Sequence, residues 1–434
     1  MSGVAPGIAV CSFLAAALAG QTAYSAPPAS LSPELHALYV DLHQTPELSL
    51  HEEKTAAKMA RQLRRLGFEV TERVGATGVV GVLRNGAGPA VMLRTELDAL
   101  PVEEKTGLPF ASHVRTRNDD GVEVPVMHAC GHDVHMTCWV GTAEAMAESR
   151  AQWRGTLVFI AQPAEERGMG ARAMLADGLF SRFPKPDFVL ALHDTPTLAT
   201  GTVGYTAGPA FSSADSVDLT IYGKGGHGAH PEATVDPIVI AARTVLALQT
   251  LVSRENDPLD PAIVTVGSFH GGSKHNIIPD EVKLQITVRA FREAVRKRLL
   301  SGIERIAKAE AAASAAPRSP EMKIVDVSSA VTVNNPALTG RVAAALRRRF
   351  GESRVIEMPR DTVSEDFSEY SLAGVPAVIF RLGATEPQRF ARARASGENL
   401  PSLHSSFFAP DADAAIRTGI EAETAALRDL LGRP

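Results

Sequence analysis

Three apolar runs in the first half of the chain each lead straight into side chains that carry protons or bind metals. Ala90-Val91-Met92-Leu93 leads into Arg94-Thr95-Glu96-Leu97-Asp98. Gly155 through Ala161 leads into Gln162-Pro163-Ala164-Glu165-Glu166, and Phe188 through Leu192 ends in His193-Asp194. Runs this short and this apolar predict buried strands of a parallel sheet. Open α/β sheets keep their sites at the carboxyl ends of such strands. A lone pair of glutamates past a strand can be a solvated charge pair. Three strands ending this way predict a shared metal site.

A fourth cluster strengthens that expectation. Met127-His128-Ala129-Cys130-Gly131-His132-Asp133-Val134-His135 packs one thiol, three imidazoles and a carboxylate into nine residues. Gly131 lets the backbone bend between Cys130 and His132, and thiolate with imidazole suits a transition metal. After His132 the pattern turns helical, over 134–148. Two positions eight apart on a helix stand roughly 12 Å apart along its axis, too far for a disulfide. Cys138 therefore reads as a buried helix residue and Cys130 as a ligand.

The chain has 434 residues, enough for a large core and two domains. A net charge of −5, with no zinc-finger pattern and no phosphate-cradling glycine loop, gives no reason to expect nucleic acid. The apolar run Ile8 to Ala19 is too short to span a bilayer comfortably. Ala17-Leu18-Ala19 or Ala23-Tyr24-Ser25 could precede a cleavage point, so residues 1–25 read as a signal peptide and 26–33 as a Pro/Ser-rich linker. No Lys or Arg precedes the run, a departure from that pattern. The expected location is secreted or periplasmic, and cytoplasmic if the segment is not a signal.

Helical periodicity appears on either side of Thr45-Pro46, the second helix placing Ala56, Met59, Leu63 and Leu66 on one face before Gly67. The pattern changes near Pro209. Strands at 216–222, 262–269, 281–291 and 322–327, with helices at 236–252 and 292–316, give the order βαββαβ of a ferredoxin-like sandwich. The α/β character then resumes with a helix at 336–350, a strand at 376–382 and a helix at 412–431. The expected organisation is a catalytic α/β domain in two parts, 34–208 and 329–434, interrupted by an α+β domain at 209–328. His404, in Leu403-His404-Ser405-Ser406, would on its own read as a surface or capping histidine.

From about His36 to the last helix, the chain resembles the dinuclear metal amidohydrolases of the aminoacylase, hippurate hydrolase and auxin-conjugate hydrolase group. The resemblance is carried, in the family's order, by His43 through Ser49, Arg94 through Pro101, Met127 through His135 and Gln162 through Glu166. It continues in Gly223 through Pro231, Asn276-Ile277-Ile278-Pro279, Ser364-Glu365-Asp366-Phe367 and Leu403-His404-Ser405. It implies a zinc-exopeptidase-like catalytic domain with an inserted ferredoxin-like lid and dimerisation domain. It implies that Cys130, His132, Glu166, His193 and His404 ligate two divalent ions, with Cys130 between them, and that Glu165 is the general base. His227, in Gly226-His227-Gly228, would reach from a partner subunit to the scissile carbonyl, and Asn276 and Arg289 would hold the carboxylate of the released amino acid. Glu96 stands where the family usually has Asp and is not counted as a ligand; Asp98 would serve as a carboxylate behind the ligands. Lys274-His275 before Asn276 is also unusual and would shape the pocket. His230 reads as structural.

The implied reaction is hydrolysis of N-acyl or N-aroyl amino acids, with hippurate-like compounds first and aromatic amides of phenylalanine, of the ochratoxin type, in the same class. Amide hydrolysis needs a nucleophile, a polarised carbonyl and a proton for the leaving amine; a divalent pair supplies the first two and a carboxylate that is not a ligand supplies the third. Zinc suits the donor set, and manganese, cobalt or nickel also fit. The expected partners are the small-molecule substrate and a second copy of the chain, with no stable membrane span. A dipeptidase or carboxypeptidase using the same site is the alternative enzyme, and a ligand-binding protein without catalysis the alternative of another class.

Overall fold

The computed structural model describes residues 30–433. The signal-peptide expectation, Cys11 and the first half of the expected linker lie outside them. Helices α1 (Pro33–Gln44) and α2 (Glu53–Arg65) lead into β1 (Glu69–Glu72), β2 (Val79–Asn85) and β3 (Ala90–Glu96). Next come α3 (His132–Glu148), β4 (Gly155–Gln162), α4 (Gly170–Ala176), β5 (Phe188–Ala199) and β6 (Val203–Tyr205). The middle of the chain holds β7 (Ser213–Tyr222), α5 (Pro237–Ser253), β8 (Ala262–His270), β9 (Glu281–Ala290), α6 (Glu293–Ala313) and β10 (Glu321–Ser329). The chain ends with α7 (Pro336–Phe350), β11 (Val355–Glu357), β12 (Ala377–Thr385), α8 (Pro387–Ser396) and α9 (Ala412–Leu430).

Local chemistry sets many of these boundaries. Ser32 caps α1 by accepting a hydrogen bond from the Leu35 amide, with Pro33 opening the helix. Asp236 with Pro237 and Asn335 with Pro336 do the same for α5 and α7.

Eight strands form one mixed sheet in the order β1-β2-β4-β3-β5-β12-β6-β11. Its centre is parallel: β3 with β4 and β5, and β5 with β12. Alternate residues pack opposite faces. Val91, Leu93, Leu157, Phe159, Leu190, Val378 and Phe380 join the core formed with α1, α2, α3, α7 and α9. Met92, Val158, Ile160, Val189, Ala191, Ala377 and Ile379 pack on the other face, against α4. Both faces are covered, which is why these strands read as continuous apolar runs.

β5 differs from its sequence pattern. It does not end at Leu192 but continues to Ala199, because its pairing with β12 persists from Arg381↔His193 to Thr385↔Ala199, with an irregularity after Gly383 next to Pro196. His193 thus lies inside a strand rather than after one.

The middle segment forms a separate four-stranded antiparallel sheet in the order β8-β9-β7-β10. That is the ferredoxin-like order, with the first and third strands of the βαββαβ unit central. Its buried face, Val217, Leu219, Ile221, Val282, Leu284, Ile286 and Val288, packs on α5 and α6 as a core of its own. A ribbon of Gly208–Phe211 with Thr332–Asn334 links this sheet to the large one.

Candidate active site at the carboxyl end of the large sheet

The loop before α3 sets the centre. Gly131 takes φ +75°, and a β-carbon there would collide with the Asp194 carboxylate, so the position requires glycine. The turn starts α3 at His132 and leaves Cys130 outside the helix. Both cysteines among the described residues, Cys130 and Cys138, are free thiols, and Cys138 is buried in α3, as expected.

Six side chains from four stretches of the chain converge here. Cys130 Sγ lies 3.5 Å from His193 Nε2 and 3.3 Å from His404 Nε2. His404 Nε2 lies 3.4 Å from Glu166 Oε2, and His132 Nε2 lies 3.9 Å from both Glu165 Oε2 and Glu166 Oε1. His132 donates from Nδ1 to the Asp98 carbonyl (2.7 Å) and His193 donates from Nδ1 to the Asp194 carbonyl (2.8 Å). Each ring therefore turns the Nε2 lone pair inward, the orientation a metal ligand needs. His404 takes φ +66° to enter the group, its amide fixed on the Ala129 carbonyl at 2.8 Å.

The donor set fits divalent metal. His132 Nε2 and Glu166 Oε1 are buried and have no hydrogen-bond partner among the described residues. Cys130, His132 and His193, and separately Cys130, Glu166 and His404, bring their donor atoms within 4.8 Å of one another. Burial, then the neighbouring acids, push the Cys130 thiol and the Glu165 carboxyl well above their usual ranges. Burial raises Glu166 to about 7, although His132 opposes it. A cation bound among these acids and the thiol would draw each back toward its ionised form.

A surrounding layer fixes the group. Asp98 accepts hydrogen bonds from Ser49 Oγ (2.7 Å) and from the amides of Glu165 (3.2 Å) and Glu166 (3.0 Å). Glu96 is buried between Arg94 and His135, whose Nδ1 lies 3.1 Å from its Oε2. The longer side chain is thus occupied by two cations, though it also falls in a potential donor group with His132 and His135.

Several contributors escaped the sequence reading. Glu52 is fully buried and accepts from the amides of Leu50 and Ala164 (2.8 Å each) and from Thr77 Oγ1 (2.6 Å). It thereby holds Ala164, at φ +49°, in the turn that presents Glu165. Arg94 binds Gln162 Oε1 (3.0 Å), Glu365 (2.7 Å) and Asp366 (3.1 Å). His135 also reaches Asp194 Oδ1 at 3.2 Å and stacks edge-on against His193. His43 bridges Asp133 (2.6 Å) and Glu104 (3.1 Å); burial works against its charge, but the two carboxylates hold it up at about 10. The only sequence signal for these residues was their place in or near motifs.

The expected residues of the middle domain come together separately. His227 pairs with Ile277 in a short ribbon, and the Gly228 amide bonds the Asn276 carbonyl at 2.9 Å. His227, Lys274, His275 and Asn276 are all exposed. His230 is exposed too, with its ring centre 5.8 Å from that of His227 and its Nδ1 3.4 Å from Glu232 Oε1. Arg289 is half-buried on the open face of β9. Among the described residues, no hydrogen bond or ion pair joins His227, Asn276 or Arg289 to the Cys130 group.

A buried acid beside a set of metal-binding side chains is the equipment of a metal-dependent amidohydrolase, and comparison with known proteins agrees with that class. The chain belongs to Peptidase family M20/M25/M40, whose model matches residues 92–425. It is 37% identical over 351 residues to N-acetyl-L-cysteine deacetylase of Bacillus subtilis, covering 79% of this chain and 78% of that protein. It is 37% identical over 340 residues to hippurate hydrolase of Campylobacter jejuni, covering 78% and 85%. A Bacillus subtilis crystal structure, described as a dinuclear metal binding peptidase from the M20 family, superposes with a TM-score of 0.73. It is 28% identical, covering 91% of this chain and 97% of that one.

Proposed function

We propose that this amidohydrolase cleaves N-acyl or N-aroyl amino acids to a carboxylic acid and a free amino acid, with hippurate-like aromatic substrates favoured. The observation that carries the reading is the convergence of Glu165 with Cys130, His132, Glu166, His193 and, at the exposed edge, His404 in one group. The names of the deacetylase and the hippurate hydrolase support an N-acyl amino acid as substrate. Exposed apolar side chains on the site's own loops, Met169 after Glu166, Val363 before Glu365 and Phe407 after His404, suit an apolar acyl group.

Those five residues would hold two divalent ions, zinc first. When bound, such a pair lowers the pKa of water and polarises a carbonyl oxygen. Glu165 takes the proton of the attacking water and passes it to the leaving nitrogen. Asp98 and Glu52 keep its backbone still while it does so. His227 steadies the developing oxyanion, and Asn276 and Arg289 bind the amino-acid carboxylate. Since His227 is exposed and unlinked to the group in its own chain, we assign that work to a homodimer, each copy completing the other's site. The apolar run at residues 8–19 supports export.

The test is hydrolysis by chelated protein with each divalent metal restored in turn. N-acetyl, N-benzoyl and ochratoxin-type amides are run beside free dipeptides. The expected result is metal-dependent cleavage of the acylated and aroylated amino acids, with dipeptides slower. Faster cleavage of dipeptides would favour the peptidase alternative, and full activity without metal would end the proposal.

A further inference from the structure

We propose that Arg381 is a second anion-binding residue of this active site, placed to receive a carboxylate carried by the acyl half of the substrate. The inference rests on the N-acyl amino acid reading above and extends it, beside the apolar acyl groups, to substrates with two acid groups.

Arg381 pairs in register with His193 on the neighbouring parallel strand. Strands in a sheet run about 4.8 Å apart and register partners face the same side. The residues two and four before each confirm the shared face: Ala377 and Ile379 pack in the same layer as Val189 and Ala191. The Arg381 side chain thus leaves the sheet on the side of His193 and at the same end.

Its surroundings leave it incomplete. Arg381 is 7% exposed, and Nη2 is buried with no hydrogen-bond partner among the described residues. The guanidinium carbon lies 4.9 Å from the centre of the Phe211 ring. The one carboxylate near it, Asp361, stands 3.7 Å from Nη1, beyond hydrogen-bond length, and is 46% exposed. Arg94 emerges from the same end of the same sheet and gives the contrast. It too is buried, yet it bonds Gln162, Glu96, Glu365 and Asp366.

A guanidinium taken out of water with part of its fork unpaired carries a desolvation penalty that a leucine or methionine against Phe211 would avoid. Such an orphan calls for an explanation, and a ligand that completes the fork supplies one. The planar fork matches a carboxylate through two parallel hydrogen bonds. Asp361 sits loosely in that place and can swing to solvent when a better-placed carboxylate arrives. The carboxylate of the amino-acid half is assigned to Asn276 and Arg289, in the middle segment. An anion at Arg381, one strand from His193, is therefore a different group, and the acyl half is the part of the substrate left to carry it.

The test compares N-succinyl and N-pentanoyl derivatives of one amino acid, similar in length but with and without a terminal carboxylate. It uses full-length metal-loaded protein, in wild type, Arg381→Met, Arg381→Lys and Asp361→Asn. Wild type should favour the succinyl compound. Arg381→Met should lower the succinyl-to-pentanoyl ratio of kcat/KM by about tenfold or more, mainly through KM, as expected for losing a charged hydrogen-bond pair. Arg381→Lys should restore part of the ratio. Asp361→Asn keeps the guanidinium and removes its competitor, so it should lower KM for the succinyl compound; it also keeps the test decisive if Arg381→Met fails to fold. Cleavage of the pentanoyl compound without any succinyl preference would overturn this proposal and leave the amidohydrolase reading standing. An unchanged ratio in Arg381→Met would also overturn it. Failure to cleave either compound, with N-acetyl and N-benzoyl amino acids also untouched, would instead strike the substrate reading on which it rests.

Discussion

Replacing Glu165 by Gln keeps the side chain's shape and removes its capacity to carry a proton. On the proposed assignment, Glu165→Gln should bind metal as wild type does and lose turnover by at least about a hundredfold, the lower end for general-base catalysis. Undiminished turnover would remove it as the base. Cys130→Ala and His404→Ala each delete a donor from a three-donor group, so metal retained after dialysis should drop in both; full occupancy would contradict their assignment. Glu52→Ala removes the acceptor of all three short hydrogen bonds. It should lower kcat more than it raises KM, and equal effects on both would mean the turn at Ala164 does not position the base. At this scale the sequence was most informative about side chains standing beside a motif glycine or at the end of an apolar run. Glu52 and His135 were opaque because their partners, Ala164 and Asp194, are far along the chain and meet them only after folding.

The central strands announce themselves because burial on both faces demands unbroken apolar runs, and α7 is bounded by an Asn-Pro start and a glycine after its end. Elements without such pressure stayed hidden. α8 buries only Ala393 and has a largely polar sequence, while β6 and β11 have three residues each, too few to show a period. β5 ran on past His193 because pairing with β12, rather than its own apolarity, extends it. The contact between α3 and α9 makes a separate prediction. Glu423 on α9 is buried against Thr142, at 2.7 Å, and burial lifts its carboxyl to about 8. Below about pH 4.5 the group is neutral whether the chain is folded or unfolded. As pH rises from there to about 8 the unfolded chain ionises while the folded one stays protonated, so stability is lost, on the order of 1 kcal/mol per pH unit. Glu423→Gln should therefore gain on wild type steadily through that window in melting temperature. A difference that stays flat with pH would show that the carboxyl is not held neutral.

Across the whole molecule, the two sheets each have their own core, and Arg289, assigned to the amino-acid carboxylate, lies on the one without the metal-binding group. The change near Pro209 made that division legible, since a half-buried antiparallel sheet alternates where a doubly covered parallel one does not. How one copy meets another leaves no mark in a single chain's hydrophobic pattern. If the site is shared between copies, mixing Glu165→Gln with His227→Ala, each inactive alone, should restore about a quarter of the wild-type rate. Half of randomly paired dimers are hybrids, and each hybrid has one intact site. No recovery after subunit exchange would mean that His227 serves its own chain or none.

The account depends above all on two cations sharing the space around Cys130. The direct measurement is a titration of metal-free protein with a divalent ion, following bound metal and amide hydrolysis together. Two equivalents per chain in wild type, activity rising with them, and a lower stoichiometry in Cys130→Ala are the predicted result. Wild-type protein that binds no ion, or hydrolyses as fast without one, would contradict it.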